Sequence, residues 1–114
     1  MTPEQLKRRT KVFAVTIVKF AASLPDDSIT GLIARQLVKS GTSVGANYRA
    51  SCRAKSRPDF ISKLTTAEEA QYWLELLVEA SIVNGESVAA LLDEAEQLVR
   101  IFVASIKTAR GFSR

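Results

Sequence analysis

The sequence predicts an all-α protein: a single domain, residues 1–114, folded as an up-down-up-down antiparallel four-helix bundle. Three observations carry that expectation. Apolar residues recur at alternating steps of three and four along four successive segments, which places them on one face of a helix. Capping and breaking residues stand between the segments, and no stretch alternates apolar with polar residues as a strand would. The connections are only a few residues long, so consecutive helices must run antiparallel. The helices are expected at about 3–24, 28–54, 57–83 and 87–110. At 1.5 Å per residue such helices measure about 33–40 Å.

The first helix starts at Thr2-Pro3-Glu4-Gln5, with Thr as N-cap, Pro in the first turn and Gln in the capping-box position. Its stripe runs Leu6, Thr10, Phe13, Ile17, Phe20, Leu24, and Leu24-Pro25 closes it. Asp26, Asp27 or Ser28 can cap the second helix, whose seam is Ile29, Ile33, Leu37, Ser40, Val44, Asn47 and Ser51. Gly41 and Gly45 fall inside this helix, where each costs roughly 1 kcal/mol relative to Ala. Four apart on one face, they are explained by a second helix pressing close.

Ser56-Arg-Pro-Asp59 marks the third start, followed by a seam of Phe60, Leu64, Ala67, Gln71, Leu74, Val78 and Ser81. Asn84-Gly85 breaks the chain. Ser87 can cap the fourth helix, with Leu91, Ala95, Leu98, Phe102 and Ser105 or Ile106 inward and Gly111 as its stop. Thr10, Ser40, Asn47, Ser51, Gln71 and Ser81 make these seams partly polar; they either bond one another or backbone carbonyls, fixing register, or line a functional pocket. A second apolar strip includes Val12, Val15, Leu32, Ile61, Trp73, Leu77, Val99, Ile101 and Val103. That surplus over the needs of a lone bundle points to a buried subunit interface.

Composition narrows the chemistry. Histidine is absent, which removes the commonest general base and metal ligand, and Cys52 is the one cysteine, so no intrachain disulfide can form. A di-iron carboxylate bundle needs Glu-x-x-His, and zinc lacks its ligands. Cys52 lies near Arg49, Arg53 and Lys55 but has no base partner and reads as a packed small residue. Glu75 and Glu79 sit one turn apart and read as solvated or paired with a neighbour. No Gly-rich phosphate loop is present. The expectation is a protein with no cofactor, no bound metal and no enzymatic activity. Lys7-Arg-Arg-Thr-Lys11 ahead of an apolar stretch resembles a signal peptide, but Lys19 interrupts the stretch and its apolar residues follow a helical period. No run reaches the ~20 apolar residues of a membrane span. A cytoplasmic location without membrane partners follows as the expectation.

The net charge of +4 conceals an asymmetry. From Met1 to Thr65 twelve Lys/Arg face four Asp/Glu, a balance of +8; from Thr66 to Arg114 four face eight, a balance of −4. Such a chain can bind a polyanion with one side or pair head-to-tail with its own copies. Arg49, Arg53 and Arg57 step by four; Lys55 and Lys63 lie nearby, and Lys7, Arg8, Arg9 and Lys11 crowd the start of the first helix. An antiparallel bundle gathers these charges at one end. Clustered cations suit sequence-independent contact to phosphates, because each neutralised phosphate releases counterions. They equally suit a solvated face or salt bridges to acidic helices. Tyr48 and Tyr72 could stack on bases, though packing accounts for both as well.

Gln36-Leu-Val-Lys-Ser-Gly-Thr-Ser-Val-Gly-Ala-Asn-Tyr-Arg49, Arg53-Ala-Lys-Ser-Arg57, Asp59-Phe-Ile-Ser-Lys-Leu64 and Tyr72-Trp-Leu-Glu-Leu-Leu77 together resemble a family of bacterial four-helix-bundle proteins. Proteins encoded in intervening sequences of 23S ribosomal RNA genes typify that family. The resemblance covers almost the whole chain, with a shorter stretch between Leu64 and Tyr72 as the visible departure. It implies a cytoplasmic homopentameric ring. It is also distantly similar to the accessory variability determinant of diversity-generating retroelements, a basic pentamer that binds a reverse transcriptase and nucleic acid. Two functions are therefore expected. The first is a non-enzymatic homo-oligomer binding RNA or DNA non-specifically through Arg49, Arg53, Lys55, Arg57 and Lys63, supported by Lys7, Arg8 and Arg9. The alternative is a protein-interaction adaptor or assembly module that touches no nucleic acid.

Overall fold

The computed structural model describes residues 1–53 and 60–111, and these form four helices: α1 (Pro3–Ala22), α2 (Ser28–Arg53), α3 (Phe60–Glu79) and α4 (Gly85–Gly111). Each helix lies along the next, α1 on α2, α2 on α3 and α3 on α4, in a rod of 49 × 23 × 20 Å. The α1–α4 seam that completes the bundle is much sparser than the other three. No described helix is long and apolar enough to cross a membrane.

The helix ends follow from local hydrogen bonds. Thr2 and Gln5 close a reciprocal capping box at α1: the Gln5 N–H donates to Thr2 Oγ1 at 3.1 Å and the Thr2 N–H donates to Gln5 Oε1 at 2.8 Å. Of the three candidates for capping α2, Asp27 does so, accepting from the Thr30 N–H at 2.9 Å and the Thr30 hydroxyl at 2.8 Å. Those bonds, the backbone one foremost, hold its carboxyl below the ordinary carboxylate range. Helix α3 stops at Glu79, short of the expected 83, because Ser81 takes a left-handed φ of 60°. The Ile82 N–H then reaches back to the Leu77 carbonyl at 3.0 Å and the Ser81 N–H to Val78 at 2.9 Å, a Schellman closure usually built on glycine. Helix α4 begins at Gly85, two residues before the expected start, since Asn84 Oδ1 caps it by accepting the Ser87 N–H at 2.9 Å.

The core matches the expected seams in α1 and α4 and departs from them in α2 and α3. Leu6, Thr10, Phe13 and Ile17 are buried from α1, and Val88, Leu91, Ala95, Leu98 and Phe102 from α4. In α2 the buried line is Thr30, Leu37, Ser40, Gly41, Val44, Gly45 and Tyr48; Ile29 is 64% exposed and Asn47 is exposed. In α3 the innermost line is Lys63, Ala67, Ala70, Leu74 and Leu77, so the expected line through Leu64, Gln71 and Val78 is only half-buried and Ser81 is exposed. Leu77 is accordingly a core residue and no part of an outer strip.

The tight contact expected at the two glycines is between α1 and α2. A Cβ on Gly41 would stand 2.9 Å from both γ-carbons of Ile17, and one on Gly45 would stand 3.1 Å from Thr10 Oγ1. Buried hydroxyls are satisfied by their own helices: Thr10 donates to Leu6 O at 2.9 Å and Ser40 to Gln36 O at 3.0 Å. No buried side-chain polar atom among the described residues lacks a partner.

Candidate nucleic-acid interface

The close α1–α2 approach decides where the cations fall. Thr10 against Gly45 sets the early turns of α1 beside the late turns of α2, so Lys7 and Arg49 line one groove. Lys11, Lys19, Val15, Val18 and Ala46 line the same hollow, about 580 Å³ in volume. It continues past Val18 into a second hollow of about 570 Å³ walled by Ala22, Ala34, Arg35 and Lys39. The outer face of α1 and α2 is thus an apolar trough with basic rims, running most of the length of the helices. None of Lys11, Lys19, Arg35, Lys39 or Arg49 forms an ion pair with another described residue.

The eight cations singled out from sequence meet different fates. Arg8, Arg49 and Arg53 are exposed at the pole where α1 begins and α2 ends. Lys7 is half-buried and reaches Glu4 at 3.1 Å. Arg9 is drawn away from solvent: its Nε donates to Glu94 Oε2 at 2.7 Å, its Nη2 to Glu94 Oε1 at 2.8 Å, and Nη2 also to Gln97. The hydrogen bonds it donates to Glu94 raise its pKa further, against the cost of burial. Lys63 is 2% exposed and already engaged inside the fold. As phosphate contacts, Arg9 and Lys63 are therefore corrected: one is clasped to α4, and the other lies on the inner line of α3. Lys55 and Arg57 lie outside the described residues, as does the Ser56–Asp59 start signal.

The structure adds Arg35 and Lys39 to the exposed cations of this face. Arg35, Lys39, Thr42, Ala46, Arg49 and Arg53 step four and three along one face of α2, and all but half-buried Thr42 are exposed. The four-three spacing that joins Arg35 and Lys39 to Arg49 and Arg53 is present in the sequence itself.

Tyrosines and acids complete the picture. Tyr48 is buried, and burial followed by a hydrogen bond with Cys52 pushes its phenol up to about 12, so it is a packing residue rather than a base-stacking platform. Tyr72 is 57% exposed and meets Trp73 edge-to-face at 5.0 Å. Around it Ile61, Thr65, Glu68, Tyr72, Glu75 and Glu79 form an exposed stripe along the outside of α3. Among the described residues no three metal-ligating side chains come together.

Comparison with known proteins places this arrangement. A family model described as 23S rRNA-intervening sequence protein matches residues 5–104. The crystal structure of a protein of unknown function from the S23 ribosomal protein family of Bacteroides thetaiotaomicron is similar throughout, at 32% identity and a TM-score of 0.82. The match covers 94% of this chain and 99% of that one. No curated protein matches the chain.

Proposed function

This chain belongs to the 23S rRNA-intervening sequence protein family, and from that premise we propose a non-enzymatic, cytoplasmic homo-oligomer, pentameric by family resemblance, that binds RNA or DNA non-specifically. The observation that carries the proposal is the polarity of the fold: α1 and α2 hold the exposed cations Arg8, Arg49 and Arg53 at one pole. None of these three is ion-paired with another described residue. Cations held open on rigid helices neutralise phosphates without any need to read bases. The S23 ribosomal protein family name of the structural neighbour fits a polyanionic partner.

A salt-titrated binding assay with mixed-sequence RNA and DNA tests this reading. Reversing Arg8 and Arg53 to Glu removes two phosphate contacts, and the slope of log K against log salt should fall by about 2 on duplex DNA. Unchanged affinity and slope in that folded double variant would remove the site.

One observation favours the second reading, a protein-interaction module. The trough between the basic rims is floored by Val15, Val18 and Ala46, and phosphate binding has no use for exposed valines. Under that reading the assay stays blank at every salt concentration while association between proteins persists.

A further inference from the structure

We propose that the basic trough of α1 and α2 is the seat for the outer stripe of α3 from a second copy of this chain, making a head-to-tail contact. The inference rests on the oligomer reading above and specifies which two faces meet.

The two faces complement each other in chemistry. The trough has an apolar floor, with Val18 46% exposed, and its rims carry Lys11, Lys19, Arg35 and Arg49. The α3 stripe offers two large apolar anchors, Ile61 at 56% and Tyr72 at 57% exposure, with Glu68, Glu75 and Glu79 between and beyond them. Their lengths also agree. Arg35 to Arg49 along the trough and Ile61 to Glu75 along α3 each cover the same number of residues, about 21 Å of helix. A helix laid along the trough would bury its valines and satisfy rim cations that have no partner among the described residues of their own protomer.

Symmetric pairing is disfavoured by the same charges. Trough against trough would set lysines and arginines face to face, and stripe against stripe would oppose glutamates, each a repulsive arrangement. Trough against stripe leaves one free trough and one free stripe at the ends of every open assembly. Such a heterologous contact adds copies until it closes into a ring or grows as a filament. Nucleic acid is the weaker occupant for the trough, since its floor is apolar; the pole at Arg8 and Arg53 lies outside the groove and stays open to phosphates after assembly.

The test is a charge swap on the full chain, read by light scattering after size exclusion, with helicity checked by circular dichroism. Lys11→Glu/Arg49→Glu reverses the trough, and Glu68→Lys/Glu75→Lys reverses the stripe; all four side chains are exposed or on the groove rim. Each double variant should fall from a multiple of 12.5 kDa toward that monomer mass. The quadruple variant, with both signs exchanged, should regain the wild-type mass. Folded double variants that keep the wild-type mass would overturn the assignment of faces while leaving the oligomer intact. A quadruple variant that stays dissociated would also overturn it. A wild-type chain that runs as a monomer would sink the oligomer reading as well. If reversing the trough abolishes RNA binding and leaves the mass unchanged, the groove holds a polyanion and the proposal fails.

Discussion

Helix α1 meets its two neighbours by opposite means. Against α2 it packs at near-backbone distance, with Ile17 over Gly41 and Thr10 over Gly45. Against α4 the seam is sparse, and a polar clasp of Arg9 on Glu94 and Gln97 spans it. The first contact tolerates almost no added volume, whereas the second depends on charge and geometry that water and salt can compete for. The difference has a functional side. Locking α1 to α2 makes the two helices one rigid wall, and that wall carries the trough and its cations.

The largest expected effect comes from forcing the tight contact apart. Gly41→Val places two extra methyl groups where even one carbon would touch Ile17 at 2.9 Å. Ile17 is fully buried and cannot swing away. Overpacking of this kind costs about 3 kcal/mol, and valine returns little of it through helix propensity. Urea unfolding should show a large fall in midpoint with an unchanged slope. If the midpoint hardly moved, the α1–α2 contact would be looser than its geometry implies, and the contrast with α4 would collapse.

Breaking the clasp should cost less. Arg9→Ala removes a bidentate, partly buried ion pair, and about 1 kcal/mol of stability should go with it. A double-mutant cycle with Glu94→Ala isolates the coupling, expected near 0.5–1 kcal/mol and smaller in high salt. A coupling insensitive to salt would mean that the seam is held by packing after all.

The same contrast explains what could be read from the chain. Helix α1 carries its large side chains on one line at strict three-four spacing, so Leu6, Thr10, Phe13 and Ile17 were readable as its buried face even though Val12, Val15 and Val18 leave the outer face apolar too. Helix α3 is apolar around much of its girth, with Leu64, Trp73, Leu76 and Val78 all half-buried beside the core line. Two seams one residue apart then fit the spacing about equally, and the wrong one hides the burial of Lys63. The end of α3 escaped for a different reason: Ser81 adopts a conformation that sequence rules reserve for glycine. Arg9 was indistinguishable from Arg8 by spacing, because its partner Glu94 lies 85 residues away. The basic pole, by contrast, follows from antiparallel topology alone. That is why the shared end of Arg8, Arg49 and Arg53 could be read from the sequence.

The smallest effect sharpens the comparison most. Gly45→Ala would bring a methyl 3.1 Å from Thr10 Oγ1 and 3.4 Å from the Thr10 backbone carbon. Thr10 cannot simply rotate, since its hydroxyl is tied to Leu6 O and Lys7 O. The early turns of α1 must therefore shift outward by a few tenths of an ångström. Against that strain stands a gain of about 1 kcal/mol from replacing a mid-helix glycine. How far α1 can shift depends on its other neighbour, the clasped and sparsely packed α4. The two terms should nearly cancel in wild type, leaving stability within about 1 kcal/mol. With Arg9→Ala in the background the shift is freer, and Gly45→Ala should become neutral or stabilising. Equal effects in both backgrounds would show that the α4 clasp does not govern the freedom of α1, and the two seams would then be independent.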